Sequence, residues 1–308
     1  MSAAFELRES PRLSRATAVR DELLRLDPER LSAGWGDARV LRVDPQGRVV
    51  ADGERLVLSP GGDVAAAAPR EAVLLGQGDD GAVWAVPTPV LDLREGEATA
   101  GLRTHGALLS ATDVGLLTTA VALLGWHDNA RFCARCGSRT KPVTAGWVRR
   151  CVQCGHEEYP RTDPAVICLV HDGADHALLG RQPSWPRGRF SVLAGFVEAG
   201  ESLEACVSRE VGEEVGVAVR EVHYLGSQPW PFPRSIMLGF EATADVGAAI
   251  APRDGEIEEA YWFSRDEVRA ALDRGEWTGD LEDPAVAVPL LLPGSISIAR
   301  TMLESWVG

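Results

Sequence analysis

One stretch of the chain, from Gly195 to Val217, constrains its fold more than any other. It reads Gly-x5-Glu-x7-Arg-Glu-Val-x-Glu-Glu-x-Gly-Val. Its apolar residues recur at four-residue steps, which predicts an amphipathic helix that starts at Ser202 or Leu203 and ends at Gly216. On that helix Glu210 and Glu214 are four residues apart and share a face, with Glu213 at its edge. The stretch therefore predicts a helix with an apolar side against a sheet and a cluster of carboxylates.

Clustered carboxylates repel one another unless a cation offsets their charge. Hard divalent ions such as Mg2+ or Mn2+ prefer these oxygen ligands and commonly bridge to phosphates. The alternative is a solvated acidic helix face, which is what paired glutamates in a helix usually form. The placement of Arg209, Glu201 and the loop glycines Gly195 and Gly200 at the spacing of the pattern favours a metal site.

A second motif consists of two Cys-x2-Cys pairs separated by 14 residues, Cys133 with Cys136 and Cys151 with Cys154. Four thiolates on two such knuckles suit a tetrahedral Zn2+ that has no open position for catalysis. A redox-active pair is the alternative, but two matched knuckles exceed what one redox site requires. Six basic residues surround the motif and either offset the zinc–thiolate charge or contact RNA: Arg131, Arg135, Arg139, Lys141, Arg149 and Arg150.

Length and charge limit the remaining possibilities. A chain of 308 residues is expected to form two or three domains. Its net charge of −14 argues against broad binding to nucleic acids or membrane surfaces. No apolar run approaches the roughly 18 residues of a membrane span, and the N-terminus lacks an apolar signal core. These features predict a cytoplasmic protein with no membrane partner.

The hydrophobic pattern predicts three domains, 1–126, 127–162 and 163–308. The first contains short strands and a helix capped by Ser110, an α+β pattern. The second is the four-cysteine unit. The third alternates strands with the acidic helix and ends in two further helices, an α/β sandwich pattern. One of its strands is expected at Phe190–Ala194, directly before the acidic helix and its loop.

A proline-rich segment follows the acidic helix and reads Gln228-Pro229-Trp230-Pro231-Phe232-Pro233-Arg234-Ser235. Three prolines hold Trp230 and Phe232 on a stiff, extended backbone. Rigid aromatic rings near a phosphate-processing centre suit stacking on a purine or nicotinamide ring. The alternative is a loop whose aromatic side chains fill an interface between domains or subunits.

Taken together, the motifs resemble the NADH pyrophosphatase branch of the Nudix hydrolases, and the resemblance covers the chain from about Cys133 to its end. The Nudix box is common to the superfamily, whereas the segment Ser227–Pro233 narrows the resemblance to dinucleotide pyrophosphatases. It implies a Nudix α/β/α sandwich with a mixed sheet. It also implies a homodimer that uses Mg2+ or Mn2+ to cleave NADH or NAD+ into AMP and the nicotinamide mononucleotide, and that removes NAD caps from RNA 5' ends.

The resemblance also implies roles for individual residues. Glu210, Glu214 and Glu256 are expected to bind the catalytic metals with Glu213 nearby, and the Ala194 carbonyl is a further expected metal contact. The proton acceptor is Glu213, Glu214 or Glu256. Arg209 is expected to orient the box loop through Glu201. Expected substrate contacts are Tyr159, Ala299 and the eight residues from Gln228 to Ser235. Family members usually carry Gln where this chain has Arg234, so this position is expected to affect substrate preference or rate.

Three other functions remain open from the sequence. ADP-ribose or another nucleotide diphosphate is an alternative substrate for the same site. A non-catalytic nucleotide sensor on a Nudix fold is a second possibility, although this chain keeps every carboxylate of the box. A nucleic-acid-binding zinc ribbon is a third, which the acidic overall charge disfavours.

Overall fold

The computed structural model describes residues 5–78, 80–253, 255–275 and 290–308. Its contacts divide the chain into two compact units. The amino-terminal unit consists of Arg15–Thr162 with Trp230–Arg234. The carboxy-terminal unit consists of Asp163–Pro229 and Ser235–Gly308, together with the start of the chain as far as Ser14. The four-cysteine motif therefore belongs to the amino-terminal unit.

The amino-terminal unit begins with short helices and two small sheets. A four-stranded sheet has the order β4-β1-β6-β5, and a three-stranded sheet has the order β3-β2-β7. The bounds are α1 Glu22–Arg25, α2 Pro28–Ala33, β1 Arg39–Val43, β2 Arg48–Asp52, β3 Arg55–Leu56, β4 Ser59–Pro60, α3 Gly61–Val64, β5 Val73–Gly78, β6 Gly81–Pro87, β7 Ala98–Gly101, α4 Leu102–His105 and α5 Ala111–Asn129.

The helix predicted after Ser110 is confirmed as α5. The Ser110 hydroxyl accepts a hydrogen bond from the Asp113 N–H at 3.1 Å, which satisfies one of the first unpaired backbone donors of the helix. Buried residues such as Leu117 and Leu123 show that α5 contributes to the core of this unit. The α+β character predicted for the amino-terminal residues is therefore confirmed.

The cysteine motif folds into a three-stranded sheet of order β10-β9-β8. Its strands are β8 Thr140–Val143, β9 Val148–Cys151 and β10 Glu157–Glu158, and a 3-10 turn at Thr144–Gly146 joins the first two. Because β8 and β9 pair in antiparallel register, the strand that ends at Cys151 runs beside the strand that follows the first cysteine pair. This arrangement brings the two knuckles to one end of the small sheet.

The carboxy-terminal unit is built on a mixed six-stranded sheet. Its order is β14-β15-β11-β12-β16, and β13 also pairs with β11. Strands β11 and β15 are parallel, whereas β12 and β13 each run antiparallel to β11. The bounds are β11 Asp163–His171, β12 His176–Arg181, β13 Leu193–Phe196, α6 Leu203–Val215, β14 Val219–Trp230, β15 Ser235–Ala244, β16 Glu259–Ser264, α7 Arg265–Asp273 and α8 Ile298–Trp306.

Successive side chains of β11 point to opposite faces of the sheet, and this explains why helices cover both faces. Val166 and Val170 belong to the hydrophobic core that α6 covers. Ile167 and Leu169 point to the opposite face and belong to the core formed with α7 and α8. A strand that is apolar on both faces has to be covered on both, which makes the unit an α/β/α sandwich. The predicted fold class is confirmed.

One predicted strand lies in a different place. The strand expected at Phe190–Ala194 is observed at Leu193–Phe196. Ser191 forms only an isolated bridge to Gly180, and the Phe190 N–H donates to the Leu291 carbonyl at 3.0 Å. The first residues of the predicted strand therefore pair outside the ladder with β11, which begins at Leu193.

The start of the chain is part of the carboxy-terminal unit. Phe5 and Leu7 pack against the core of α7 and α8. The Arg8 N–H donates to the Ser305 hydroxyl at 3.1 Å. No helix among the described residues is both long and apolar enough to cross a bilayer.

Candidate active site and zinc ribbon

The helix of the box forms as the sequence predicts. The Ser202 hydroxyl accepts from the Ala205 N–H at 3.2 Å and caps its start. Gly216 ends it with a φ of 74°, a left-handed conformation that favours glycine. Val207, Val211 and neighbouring apolar residues are buried against the sheet, and each such side chain contributes roughly 1.5–3 kcal/mol by its burial. This packing fixes the rotation of α6 and therefore the direction of its glutamates.

Arg209 connects the loop of the box to the helix. Its Nε and Nη2 donate to the two carboxylate oxygens of Glu201 at 2.8 and 2.9 Å, and Nη2 also donates to the Phe196 carbonyl at 3.0 Å. Its Nη1 lies 2.9 Å from Glu210 Oε1 and 3.0 Å from Glu213 Oε2. The Arg209 hydrogen bonds hold the pKa of Glu201 down to about 2. The predicted pairing of Arg209 with Glu201 is thus present, and it anchors the loop in the geometry of a forked ion pair.

The first glycine of the box is required by the glutamate opposite it. A β-carbon added to Gly195 would lie 1.9 Å from Glu210 Cδ and 2.2 Å from each carboxylate oxygen. The Glu210 carboxylate therefore packs directly on the backbone of β13. Ala194 precedes this glycine on the same strand and pairs with Ile167 of β11. The expected metal contact of the Ala194 carbonyl stays a prediction, but residue 194 directly precedes the point where Glu210 meets the strand.

Three of the predicted metal-site glutamates, Glu210, Glu213 and Glu256, lie close enough for their charges to interact. Burial raises the pKa of Glu210, the nearby charges of Glu213 and Glu256 act in the same direction, and Arg209 opposes them. Glu214, one turn further along α6, is only 2% exposed. Carboxylate oxygens are the ligands that a divalent cation prefers. Among the described residues these glutamates do not form a group of three within 4.8 Å of one another, so their role as metal ligands stays a prediction.

The segment that carries Glu256 is fixed on both sides. Ile257 is buried in the core under α6. The Glu258 N–H donates to the Arg181 carbonyl at 2.8 Å, and the Arg181 side chain forms an ion pair with the Glu258 carboxylate. Arg181 is itself buried, so this pair holds the segment at the end of β12. Sequence reasoning assigned no role to Arg181.

Gln228 has an internal role that the sequence did not reveal. Its side chain is fully buried; Oε1 accepts from the Leu13 N–H at 3.3 Å, and Nε2 donates to the Ile296 carbonyl at 3.1 Å. The amide thus joins two segments that are remote in sequence. Pro229 is half-buried and Ser235 is buried within the same unit. The substrate contacts predicted for these residues stay predictions. The amide oxygen and nitrogen of Gln228 both already have hydrogen-bond partners within the protein.

Trp230 and Phe232 belong to the amino-terminal unit. The extended backbone predicted for this segment ends with β14 at Trp230, and a turn over residues 231–234 leads into β15. Their rings form an edge-to-face pair with centroids 5.0 Å apart. The Arg103 guanidinium lies 4.1 Å from the Phe232 ring centroid and 5.6 Å from that of Trp230, a cation–π arrangement. Pro231, Phe232 and Pro233 line a cavity of about 780 Å³ with residues of α5. Arg234 is exposed. No sequence pattern indicated a role for Arg103.

The other two predicted substrate contacts have different environments. Tyr159, in the amino-terminal unit, is exposed, and its hydroxyl donates to Glu157 Oε2 at 2.8 Å. Ala299, in the carboxy-terminal unit, is 1% exposed and belongs to the core of α7 and α8. Both contacts stay predictions.

The four predicted zinc ligands form one cluster. Their sulfur atoms all lie within 4.8 Å of one another, with Cys136 Sγ 3.5 Å from the sulfurs of Cys151 and Cys154. Four sulfurs arranged tetrahedrally around Zn2+ at about 2.3 Å would lie roughly 3.8 Å apart, so the set fits this ion. Among the residues described here, no other cluster of three or more His, Cys, Asp or Glu side chains meets the same distance limit.

The two knuckles repeat one backbone pattern. The Gly137 N–H donates to the Cys133 carbonyl at 2.9 Å, and the Gly155 N–H donates to the Cys151 carbonyl at 3.2 Å. These glycines have φ values of 73° and 72°, so each turn requires the left-handed conformation. A closed tetrad on matched knuckles is a structural zinc site.

Comparison with known proteins gives consistent results for both units. Residues 161–281 match the model of the NUDIX domain, and residues 128–159 match that of the NADH pyrophosphatase zinc ribbon domain. The chain is 53% identical over 306 residues to the NAD-capped RNA hydrolase NudC of Mycobacterium bovis and to that of Mycobacterium tuberculosis, covering 98% of this chain and 96% of each relative. It is 43% identical over 226 residues to the mitochondrial NAD(P)H pyrophosphatase NUDT13 of Mus musculus, covering 72% of this chain and 63% of that protein.

Proposed function

The chain belongs to the zinc-ribbon Nudix hydrolases, and from this membership we propose that it hydrolyses the pyrophosphate bond of NADH and NAD+ and removes the NAD cap from RNA 5' ends. Water adds across the bond, so the products are AMP and the nicotinamide mononucleotide, or the mononucleotide and RNA with a 5' monophosphate. The observation that carries this proposal is the carboxylate cluster of α6 in a chain similar to a NAD-capped RNA hydrolase along nearly its whole length.

Glu210, Glu214 and Glu256, with the Ala194 carbonyl and Glu213 nearby, would hold Mg2+ or Mn2+. When bound, such an ion neutralises charge on the pyrophosphate and makes a coordinated water more acidic. The chain supplies the positions of the carboxylates. The contact with Gly195 sets the carboxylate of Glu210, and the buried face of α6 sets Glu214.

The proton acceptor is one of three glutamates whose surroundings differ. Glu213 is accessible, with its side chain 55% exposed, and it shares Arg209 with Glu210. Glu214 is buried and Glu256 lies on the segment held by Arg181. A Gln substitution at each position keeps the shape and removes the basic oxygen, so the pH dependence of kcat in the three variants assigns the role.

For substrate recognition, we assign the stacking surface to Trp230 and Phe232, because the edge-to-face pair and three prolines hold both rings in place. Tyr159, Arg234, Ala299 and the remaining residues of Gln228–Ser235 complete the proposed contacts. The proposal also includes a homodimer in the cytoplasm. Light scattering of the purified protein tests the dimer directly.

The deciding experiment measures products by mass spectrometry after incubation with Mn2+ and NADH, NAD+, ADP-ribose or NAD-capped RNA. We expect turnover of the first two and of capped RNA. The Glu214→Gln variant should lose turnover by orders of magnitude while it keeps its melting temperature. Glu204→Gln, on the exposed side of the same helix, is the matched control and should behave as the unmodified protein.

Three outcomes would contradict the proposal. Turnover of ADP-ribose alone would assign the site to another nucleotide diphosphate. Binding without turnover of every substrate would make the chain a nucleotide sensor. Near-normal turnover by Glu214→Gln at saturating metal would show that the acidic cluster is not the catalytic site.

A further inference from the structure

A cavity of about 470 Å³ lies within the amino-terminal unit, between the end of α5 and the zinc ribbon. Four of its lining side chains are arginines, and only two are acidic, Glu71 and Asp128. The arginines come from three separate parts of the chain: Arg70, Arg131, Arg139 and Arg149. In a protein with a net charge of −14, this is a local concentration of positive charge.

The two carboxylates do not offset all of this charge, although both act on Arg149. Arg131 pairs with Asp128 at 2.6 Å. Arg149 donates to Thr140 Oγ1 at 2.7 Å and contacts His127 Nδ1 at 2.8 Å. Neither of these partners is an anion. The His127 Nε2–H donates to the Gly146 carbonyl, so the Nδ1 atom accepts the hydrogen bond from Arg149.

Arg70 and Arg139 have no ion pair among the residues that the structure describes. The Arg139 guanidinium instead lies 5.9 Å from the ring of Phe132, whose side chain is 60% exposed. The cavity therefore combines cations that lack an anionic partner with an exposed aromatic ring beside it.

Among the described residues, none of the four arginines donates a hydrogen bond to a sulfur of the zinc site. Four thiolates around Zn2+ leave a net negative charge, which nearby cations could offset. The nitrogen donors described at the sulfur of Cys151 are backbone N–H groups, those of Gln153 and Cys154 at 3.4 Å each. The Arg149 side chain instead donates to Thr140 and contacts His127, and both of these residues line the cavity.

We propose that this cavity binds the phosphodiester backbone of single-stranded RNA, the chain that follows the cap in the proposed substrate. The inference rests on the proposed function for its choice of RNA. Guanidinium groups match phosphate oxygens in forked hydrogen bonds, and an exposed aromatic ring gives an unstacked base a partner. The cavity arginines and the Phe132 ring next to Arg139 thus supply both elements by which proteins bind single strands without sequence preference.

The test measures the affinity of the full-length protein for an RNA of about ten nucleotides that has a 5' monophosphate and hence no bond to cleave. The variant is Arg70→Gln/Arg139→Gln. Each lost phosphate contact lowers the slope of log K against log salt by about 0.7, so the slope should fall by about 1.4. At about 0.1 M salt this is roughly a 25-fold loss of affinity.

Two further variants make the result specific. Arg30→Gln/Arg94→Gln removes the same charge from exposed sites elsewhere in this unit and should bind RNA within about twofold of the unmodified protein. Arg70→Lys/Arg139→Lys keeps the charge and should restore the salt slope. Zinc content and melting temperature, measured on each variant, report whether the ribbon has formed. For capped RNA, the ratio of decapping to NADH turnover should fall in the first variant.

Several results would overturn the inference. One is an unchanged affinity and salt slope in Arg70→Gln/Arg139→Gln; another is an equal loss in Arg30→Gln/Arg94→Gln. Displacement of RNA by inorganic phosphate, beyond the effect of chloride at equal ionic strength, would assign the cavity to a small anion. Failure of the proposed function is distinguishable, because a protein that cleaves neither NADH nor capped RNA still gives a result in the binding measurement.

Discussion

The contact between Gly195 and Glu210 leads to a quantitative prediction. In Gly195→Ala the new methyl carbon would lie 1.9 Å from Glu210 Cδ, whereas ordinary contact begins at 3.4 Å. The carboxylate or the strand therefore has to move by about 1.5 Å. The φ of Gly195 lies outside the left-handed region, so alanine itself is not strained there. The substitution therefore tests whether activity requires the Glu210 carboxylate to stay in its observed position.

The size of the effect follows from that displacement. A shift of about 1 Å in a reacting group lowers rates by about a hundredfold. We therefore expect kcat/KM for NADH to fall at least about a hundredfold, which corresponds to about 2.7 kcal/mol. Forcing an extra methyl group into a packed site costs about 1–3 kcal/mol of stability, which a protein of this size tolerates.

The assay measures NADH turnover across a Mn2+ titration, with urea unfolding in parallel. Gly212→Ala is the matched control, because Gly212 lies in α6 and an added β-carbon would meet nothing within 4 Å. That variant should keep its turnover and gain up to about 1 kcal/mol of stability from helix propensity. If Gly195→Ala kept both the kcat/KM and the metal dependence of the unmodified protein, the proposed geometry around Glu210 would be wrong.

Three further predictions follow from the ribbon and the loop contacts. Cys133→Ser should lower zinc content and melting temperature together, because the metal supplies folding energy to such a module; a zinc-free variant with unchanged melting would contradict this. The Glu201 carboxylate, whose pKa is held near 2, should contribute stability that is complete above its unfolded pKa of about 4.3 and lost as the pH falls towards 2. The difference in urea midpoint between the unmodified protein and Glu201→Gln should therefore shrink from pH 7 to pH 3, and a constant difference would refute the ion-pair argument. Arg181→Gln frees Glu258 and should raise the Mn2+ concentration for half-maximal activity more than it lowers kcat; a fall in kcat alone would show that the Glu256 segment needs no such support.

The parts of this molecule that were predictable from the sequence depend on local signals. The α6 helix was placed to within a residue, because Ser202, Gly216 and the valine spacing all act within one segment. The zinc tetrad was equally predictable, since four cysteines at this spacing have few other uses. In both cases the chemistry is set by residues close together in the chain.

The features that were missed depend on distant partners. The Gln228 side chain forms hydrogen bonds to two segments that are distant in sequence. No local pattern distinguishes a buried glutamine from an exposed one. Arg181 and Arg103 gain their roles only from what the fold places opposite them. The strand at Leu193–Phe196 was predicted too early in the chain, because apolar spacing does not identify the exact ladder partner of each residue.

The first residues of the chain affect how fragments of this protein behave. Phe5 and Leu7 fill part of the core beneath α7 and α8, and the Leu13 N–H satisfies one end of Gln228. A fragment cut to the boundaries of the NUDIX match, 161–281, would lose this packing and α8 as well. Loss of activity in such a fragment would therefore not show that the amino-terminal unit takes part in catalysis. A fair separation of the two units would have to keep residues 5–14 with the catalytic unit, for example by joining them through a linker to Asp163.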